Sequence, residues 1–225
     1  MGSLAIPYGI LKMPGIPLAI EHLIRSNMAT IDKALIQELR DRTGLGLMDC
    51  KKALEETNGN IDLAVEILRK KGAAVAAKRA DKETSQGTVC AYIHPGAQIG
   101  VMVEINCETD FVARTAAVQD FARDLCLHIT AMKPMYLAPE NVDPTFLEHE
   151  KSIFKEQLAG SGKPDSILNK IVEGKINKLY SDICLLKQTF VKNDQYTVEQ
   201  VLQDIIAKTG ESVRIKRFAR FEIGA

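Results

Sequence analysis

Residues 87–113 read GTVCAYIHPGAQIGVMVEINCETDFVA, and the period of their apolar residues changes partway along. Val89, Ala91 and Ile93 alternate with Thr88, Cys90 and Tyr92, and Val101, Val103 and Ile105 alternate again after His94-Pro95-Gly96-Ala97. Period two on both sides of a Pro-Gly turn predicts a β-hairpin with a short loop. Beyond Asn106 the alternation stops. Thr109 or Asp110 can cap a helix, and Phe111 with Val112 falls in its first turn.

Toward the C-terminus the helical period runs from Ala113 to Ala131, from about Asp143 to Leu158, from Asp165 to Leu185, and from about Thr197 to Lys208. Gly160-Ser161-Gly162-Lys163-Pro164 breaks it between the second and third of these. Ser212 to Ile223 is strand-like, with Val213, Ile215, Arg217, Ala219 and Phe221 expected on one face. A hairpin, helices and a closing strand predict an α+β fold with a three-stranded antiparallel sheet. Gly210 reads as the turn glycine between the last helix and the last strand.

Toward the N-terminus, residues 30–72 predict a three-helix module. Asp32 is a good cap, Ile31 with Ile36 can staple it, and Leu35 and Leu39 follow at helical spacing. Thr43-Gly44-Leu45-Gly46 breaks this helix, and a second through Met48, Cys50, Ala53 and Leu54 ends near Asn58-Gly59. Asn60 caps a third, whose Ile61, Ala64, Val65 and Leu68 form a stripe closed by the basic turn Arg69-Lys70-Lys71. Residues 73–84, rich in Ala, Lys and Arg, read as a helical linker, and residues 85–225 as a core domain. Residues 1–29 read as an N-terminal extension: apolar, but broken by Pro7, Pro14 and Pro17, and unlike either a signal or a transit peptide. Met28 is the expected start.

Composition narrows the function classes. With 46% hydrophobic and 26% charged residues the chain has the make-up of a soluble globular protein. Its 29 basic residues balance 29 acidic ones, which gives no support to a nucleic-acid partner. No apolar run reaches the roughly 18 to 20 residues of a membrane span. Cys50, Cys90, Cys107, Cys126 and Cys184 form no CxxC pair, and the four histidines lie on separate elements, so neither a metal nor a cofactor is expected. No nucleophile elbow, Walker segment or GxGxxG is present. Cys107 with His94 could be imagined as a catalytic pair, against the plainer reading of a sheet-packed cysteine and a turn histidine. Phe111, at the mouth of a helix, is either a core plug or a binding anchor, and most aromatics are core.

The segments TGLGLMDCKKAL (43–54), GNIDLA (59–64) and LRKKG (68–72) resemble the N-terminal module of the elongation factor Ts family, which is itself similar to ubiquitin-associated domains. NCETDFV (106–112) resembles that family's TDFV signature, and RFARFEIG (217–224) its closing strand. The three resemblances fall in the family's order and cover nearly all of residues 30–225. They imply a protein that is not an enzyme: a guanine-nucleotide exchange factor that binds elongation factor Tu, GDP-bound and nucleotide-free, during translation elongation. Phe111 would enter the GTPase domain and disturb its magnesium and nucleotide site, flanked by Thr109, Asp110 and Val112. Leu47, Met48 and Lys51 would form part of the module's contact face, and Gly210 is a further carry-over. A cytoplasmic location is implied, with an organellar matrix or stroma also open.

Longer members carry a second sheet subdomain and a helical hairpin, for which the sequence shows no room after Pro134. A homodimer is therefore expected, through the strand Ser212 to Ile223 or the apolar helices beside it, and since no cysteine follows Cys184 a dimer through that strand would be held non-covalently. The alternatives are a ubiquitin-type adaptor, which has no use for the TDFV segment; a Cys/His enzyme; and an RNA-binding protein, for which the neutral charge is poor.

Overall fold

The computed structural model describes residues 31–158 and 164–224, so the extension at 1–29 lies outside it. Three helices come first: α1 (Lys33–Thr43), α2 (Leu47–Glu56) and α3 (Ile61–Arg79). The Asp32 carboxylate accepts from the Ala34 N–H at 3.1 Å, and the Asn60 side chain accepts from the Leu63 N–H at 3.1 Å, so both expected caps form. Gly44 ends α1 at φ 68°, in the left-handed region that a side chain disfavours. Ile36, Leu39, Cys50, Ala53, Leu54, Ala64 and Leu68 make the module's own core, with Ile31 packed against it.

The third helix does not stop at the basic turn. It runs through Gly72 to Arg79, and a Cβ on Gly72 would lie 3.1 Å from the Ala207 Cβ. Gly72 is therefore a point of close helix approach and not a terminator. One turn earlier the Arg69 guanidinium sits 3.1 Å from the centre of the Tyr196 ring and bonds Asp204 at 2.8 Å.

The core follows as β1 (Gln86–Ile93), β2 (Ile99–Cys107), the single turn α4 (Asp110–Ala113), α5 (Ala116–Met132), α6 (Pro144–Leu158), α7 (Asp165–Ile183), α8 (Val198–Thr209) and β3 (Val213–Glu222). The sheet is antiparallel in the order β1-β2-β3, giving the expected α+β fold. Val101, Val103, Ile105 and Cys107 on the inner face of β2 meet Phe121, Ala122, Leu125, Cys126 and Ile129 of α5 in one hydrophobic core.

Two features differ from the sequence reading. Register slips by one residue where Glu104 pairs with Arg217 but Ile105 pairs with Ile215, leaving Lys216 as a bulge. Val213 and Ile215 point into the core, whereas Arg217, Ala219 and Phe221 point out, so the five do not share a face. Helices α6 and α7 also form a helical hairpin, with Lys175 over the Phe154 ring at 5.0 Å and bonded to Gln157 at 2.7 Å. The chain between Pro134 and β3 thus does have room for such a hairpin.

His128, buried in α5, is fully engaged. Its Nδ1 accepts from the Val191 N–H at 3.2 Å, so Nε2 carries the proton and donates to Gln188 Oε1 at 3.0 Å. Burial pushes its pKa below the ordinary 6.5, against a smaller opposing effect of Gln188.

Candidate functional site

Four residues lift a phenylalanine off the domain. Val112 and Ala113 of α4 are buried in the core, while Phe111 between them and the loop is 77% exposed, more than any other large apolar side chain among the described residues. The core-plug reading therefore fails. A single helical turn does not persist alone in water, so its neighbours must hold it. Thr109 caps it through a hydroxyl that accepts from the Val112 N–H at 3.3 Å. Asp110 pairs with Arg114 at 3.0 Å on the surface, and the Arg114 N–H closes the turn onto the Phe111 carbonyl at 3.2 Å.

Behind Thr109 stand residues that the sequence did not single out. The Glu211 carboxylate accepts from the Thr109 N–H at 3.1 Å and from its hydroxyl at 2.9 Å. The Glu108 carboxylate accepts from the Ser212 N–H at 2.6 Å, and one Arg79 Nη lies 2.9 Å from both of its oxygens. The Ser212 amide, with Arg79 and Lys82 as smaller contributors, holds the Glu108 carboxyl below its ordinary range. These links span 29 to 104 positions along the chain, so no local pattern could reveal them. Gly210 caps α8 at φ 70°, and open space surrounds the position a Cβ would take. Its part is to turn the chain so that Glu211 and Ser212 arrive at the loop.

On the module, Leu47 and Met48 in the first turn of α2 are both exposed, joined by Leu63 of α3. Lys51 lies one turn on, 3.7 Å from Glu55. Both regions present exposed apolar side chains. A groove of about 590 Å³ does exist, but it lies where α1 and α3 meet α8, lined by Arg42, Leu45, Arg69, Tyr196 and Lys208, away from Phe111. The geometry at Phe111 suits insertion into another macromolecule and not the capture of a small molecule.

Cys107 and His94 do not form a catalytic pair. Cys107 pairs with Gln86 at one end of the hairpin, and His94 lies beyond Ile93 at the other, roughly 25 Å away at about 3.3 Å per residue. Burial pushes the Cys107 thiol up to about 11, with the Glu211 charge adding to it, so the thiolate is scarce at neutral pH. Among the described residues no group of three or more His, Cys, Asp or Glu could hold a metal ion. No described helix is long and apolar enough to cross a membrane.

A family model described as elongation factor TS matches residues 24–225. The chain is 51% identical over 195 residues to elongation factor Ts of Geotalea daltonii, covering 87% of this chain and 90% of that one. It is 50% identical over 197 residues to that of Desulfosudis oleivorans, covering 88% and 100%. The chain belongs to the elongation factor Ts family. Elongation factor Ts of Thermosipho melanesiensis is 47% identical over 194 residues, covering 86% of this chain and 99% of its own. Family members of this compact form therefore match along almost their whole length, α6–α7 hairpin included.

Proposed function

We propose that the protein is the guanine-nucleotide exchange factor of elongation factor Tu, and that it drives GDP release by inserting Phe111 into the GTPase domain. The observation that carries this reading is Phe111 itself: an aromatic ring exposed at 77% on a turn whose next two residues are locked in the core. Leu47, Met48 and Lys51 would bind the same domain, with Thr109, Asp110, Val112 and Gly210 supporting the wedge. No covalent step is required. The work is done in whichever compartment translation occupies, the cytoplasm or an organellar matrix or stroma.

Magnitudes divide the task. Burying one phenylalanine contributes roughly 1.5–3 kcal/mol, while each tenfold gain in release rate needs about 1.4 kcal/mol. The ring accounts for about two decades at most, and the rest falls to interactions with the nucleotide-free partner that the GDP-bound partner lacks. By linkage, returning nucleotide weakens factor binding by the same factor, which frees the protein for another round.

A second copy completes the reading. Val89, Ile93, Met102, Phe221 and Ile223 on the outer side of the sheet are all exposed. Paired rows run Ala91–Met102–Ala219 and Ile93–Gly100–Phe221, so these side chains adjoin across the strands. Contiguous apolar surface of this kind is rare on monomers, and two-fold packing of one sheet on another would cover it. The deciding experiment is release of labelled GDP from elongation factor Tu with and without this protein. Acceleration is expected, and an unchanged rate would exclude the function.

A further inference from the structure

Two consecutive residues, Glu108 and Thr109, are tied crosswise to two others, Glu211 and Ser212. Each glutamate reaches the backbone N–H of the opposite strand segment, and Glu211 takes the Thr109 hydroxyl as well. Arg79 clasps the same Glu108 from the last residue of α3. We infer that Glu211 and Arg79 are positioning residues for Phe111, fixing the direction in which its ring leaves the domain relative to the N-terminal module.

The inference rests on the reading of Phe111 as the inserted group. An exposed ring has little of its own to orient it, so its direction is set by the backbone of α4, and that backbone is held by Thr109 at one end and by Val112 and Ala113 at the other. The second half of the inference concerns α3. Its 19 residues make a rod of about 28 Å at roughly 1.5 Å per residue. Ala64 and Leu68 in its first half belong to the module's core, Gly72 presses on Ala207, and Arg79 at its end grips the carboxylate next to Thr109. Helix α2, which carries the exposed Leu47 and Met48, packs on this rod through Cys50, Ala53 and Leu54, so both regions are tied to one helix. A partner that must meet them together gains from having their separation and angle set in advance.

The test is a saturation series of GDP release from elongation factor Tu. Glu211→Ala should lower the saturating rate about tenfold, as expected for one lost charge-assisted hydrogen bond. Its half-saturating concentration should move less than about threefold, because the rest of the interface is untouched. Glu211→Gln, which keeps an acceptor oxygen, should recover most of the rate, and Arg79→Lys should outperform Arg79→Ala. Amide hydrogen exchange across 110–114 should quicken in Glu211→Ala at an unchanged melting temperature. Full rate in Glu211→Ala beside an impaired Phe111→Ala overturns this inference and leaves the wedge standing. Full rate in both overturns the wedge and the inference with it, and so does a wild-type protein that does not accelerate release.

Discussion

Gly72 and Ala207 touch: a Cβ on the glycine would come within 3.1 Å of the alanine's, which brings α3 and α8 closer than side chains of ordinary size permit. Gly72→Leu should therefore force the helices apart and cost about 1–3 kcal/mol by overpacking. Thermal melting measures it, and Ala207→Gly on the same background should recover part of the loss. A Gly72→Leu protein as stable as wild type would mean that the contact is not tight.

Phe111→Ala should leave the melting temperature within about 2 °C, since surface changes seldom exceed about 0.5 kcal/mol. It should slow GDP release from elongation factor Tu by on the order of tenfold to several hundredfold. A collapse in thermal stability would show that the ring serves the core, and the wedge assignment would fall.

The fold class, the caps at Asp32 and Asn60 and the hairpin were legible because each is a local decision: alternation, a capping oxygen, a Pro-Gly turn. The continuity of α3 past its basic turn, and the role of Gly72 in it, were not legible for a physical reason. A glycine after a basic turn looks like a helix terminator, and only the partner helix shows that its missing side chain is what matters. The bulge at Lys216 has no compositional signal, because one inserted residue leaves the strand as apolar as before. At the site, the TDFV segment could be read from its residues, whereas Glu211 and Arg79 meet it only after the chain has folded.

His128 makes the core sensitive to pH. Its folded pKa lies below 6.5, so the unfolded chain binds the proton more readily and stability falls as pH drops through about 6.5, levelling once the folded imidazole also titrates. Denaturant unfolding at pH 7.5, 6.5 and 5.5 should show that trend. His128→Asn should be less stable throughout but nearly flat over this window. A wild-type profile without slope there would contradict the neutral assignment.

Dimerisation should respond to the middle of the outer sheet face. Met102→Glu places a charge between Ala91 and Ala219, where a second copy would have to bury it. Light scattering at micromolar concentration should show this variant at the monomer mass of 24.8 kDa and the wild type at twice that. A wild-type monomer that still accelerates GDP release would remove the dimer from the mechanism.

Lys216 acts on β3 as a change of reading frame acts on a message. Upstream of it the even-odd alternation sends Val213 and Ile215 to the core; downstream the same alternation is shifted by one, sending Phe218 inward and Ala219 and Phe221 outward. One ten-residue strand therefore writes two surfaces, an interior for its own chain and an exterior suited to another. Deleting Lys216 would leave those faces as they are; it is a strand that kept Lys216 in one unbroken frame that would turn Phe221 toward α5 and Phe218 toward solvent. The sheet could keep its three strands and its hydrogen bonds and yet offer a second copy a different face.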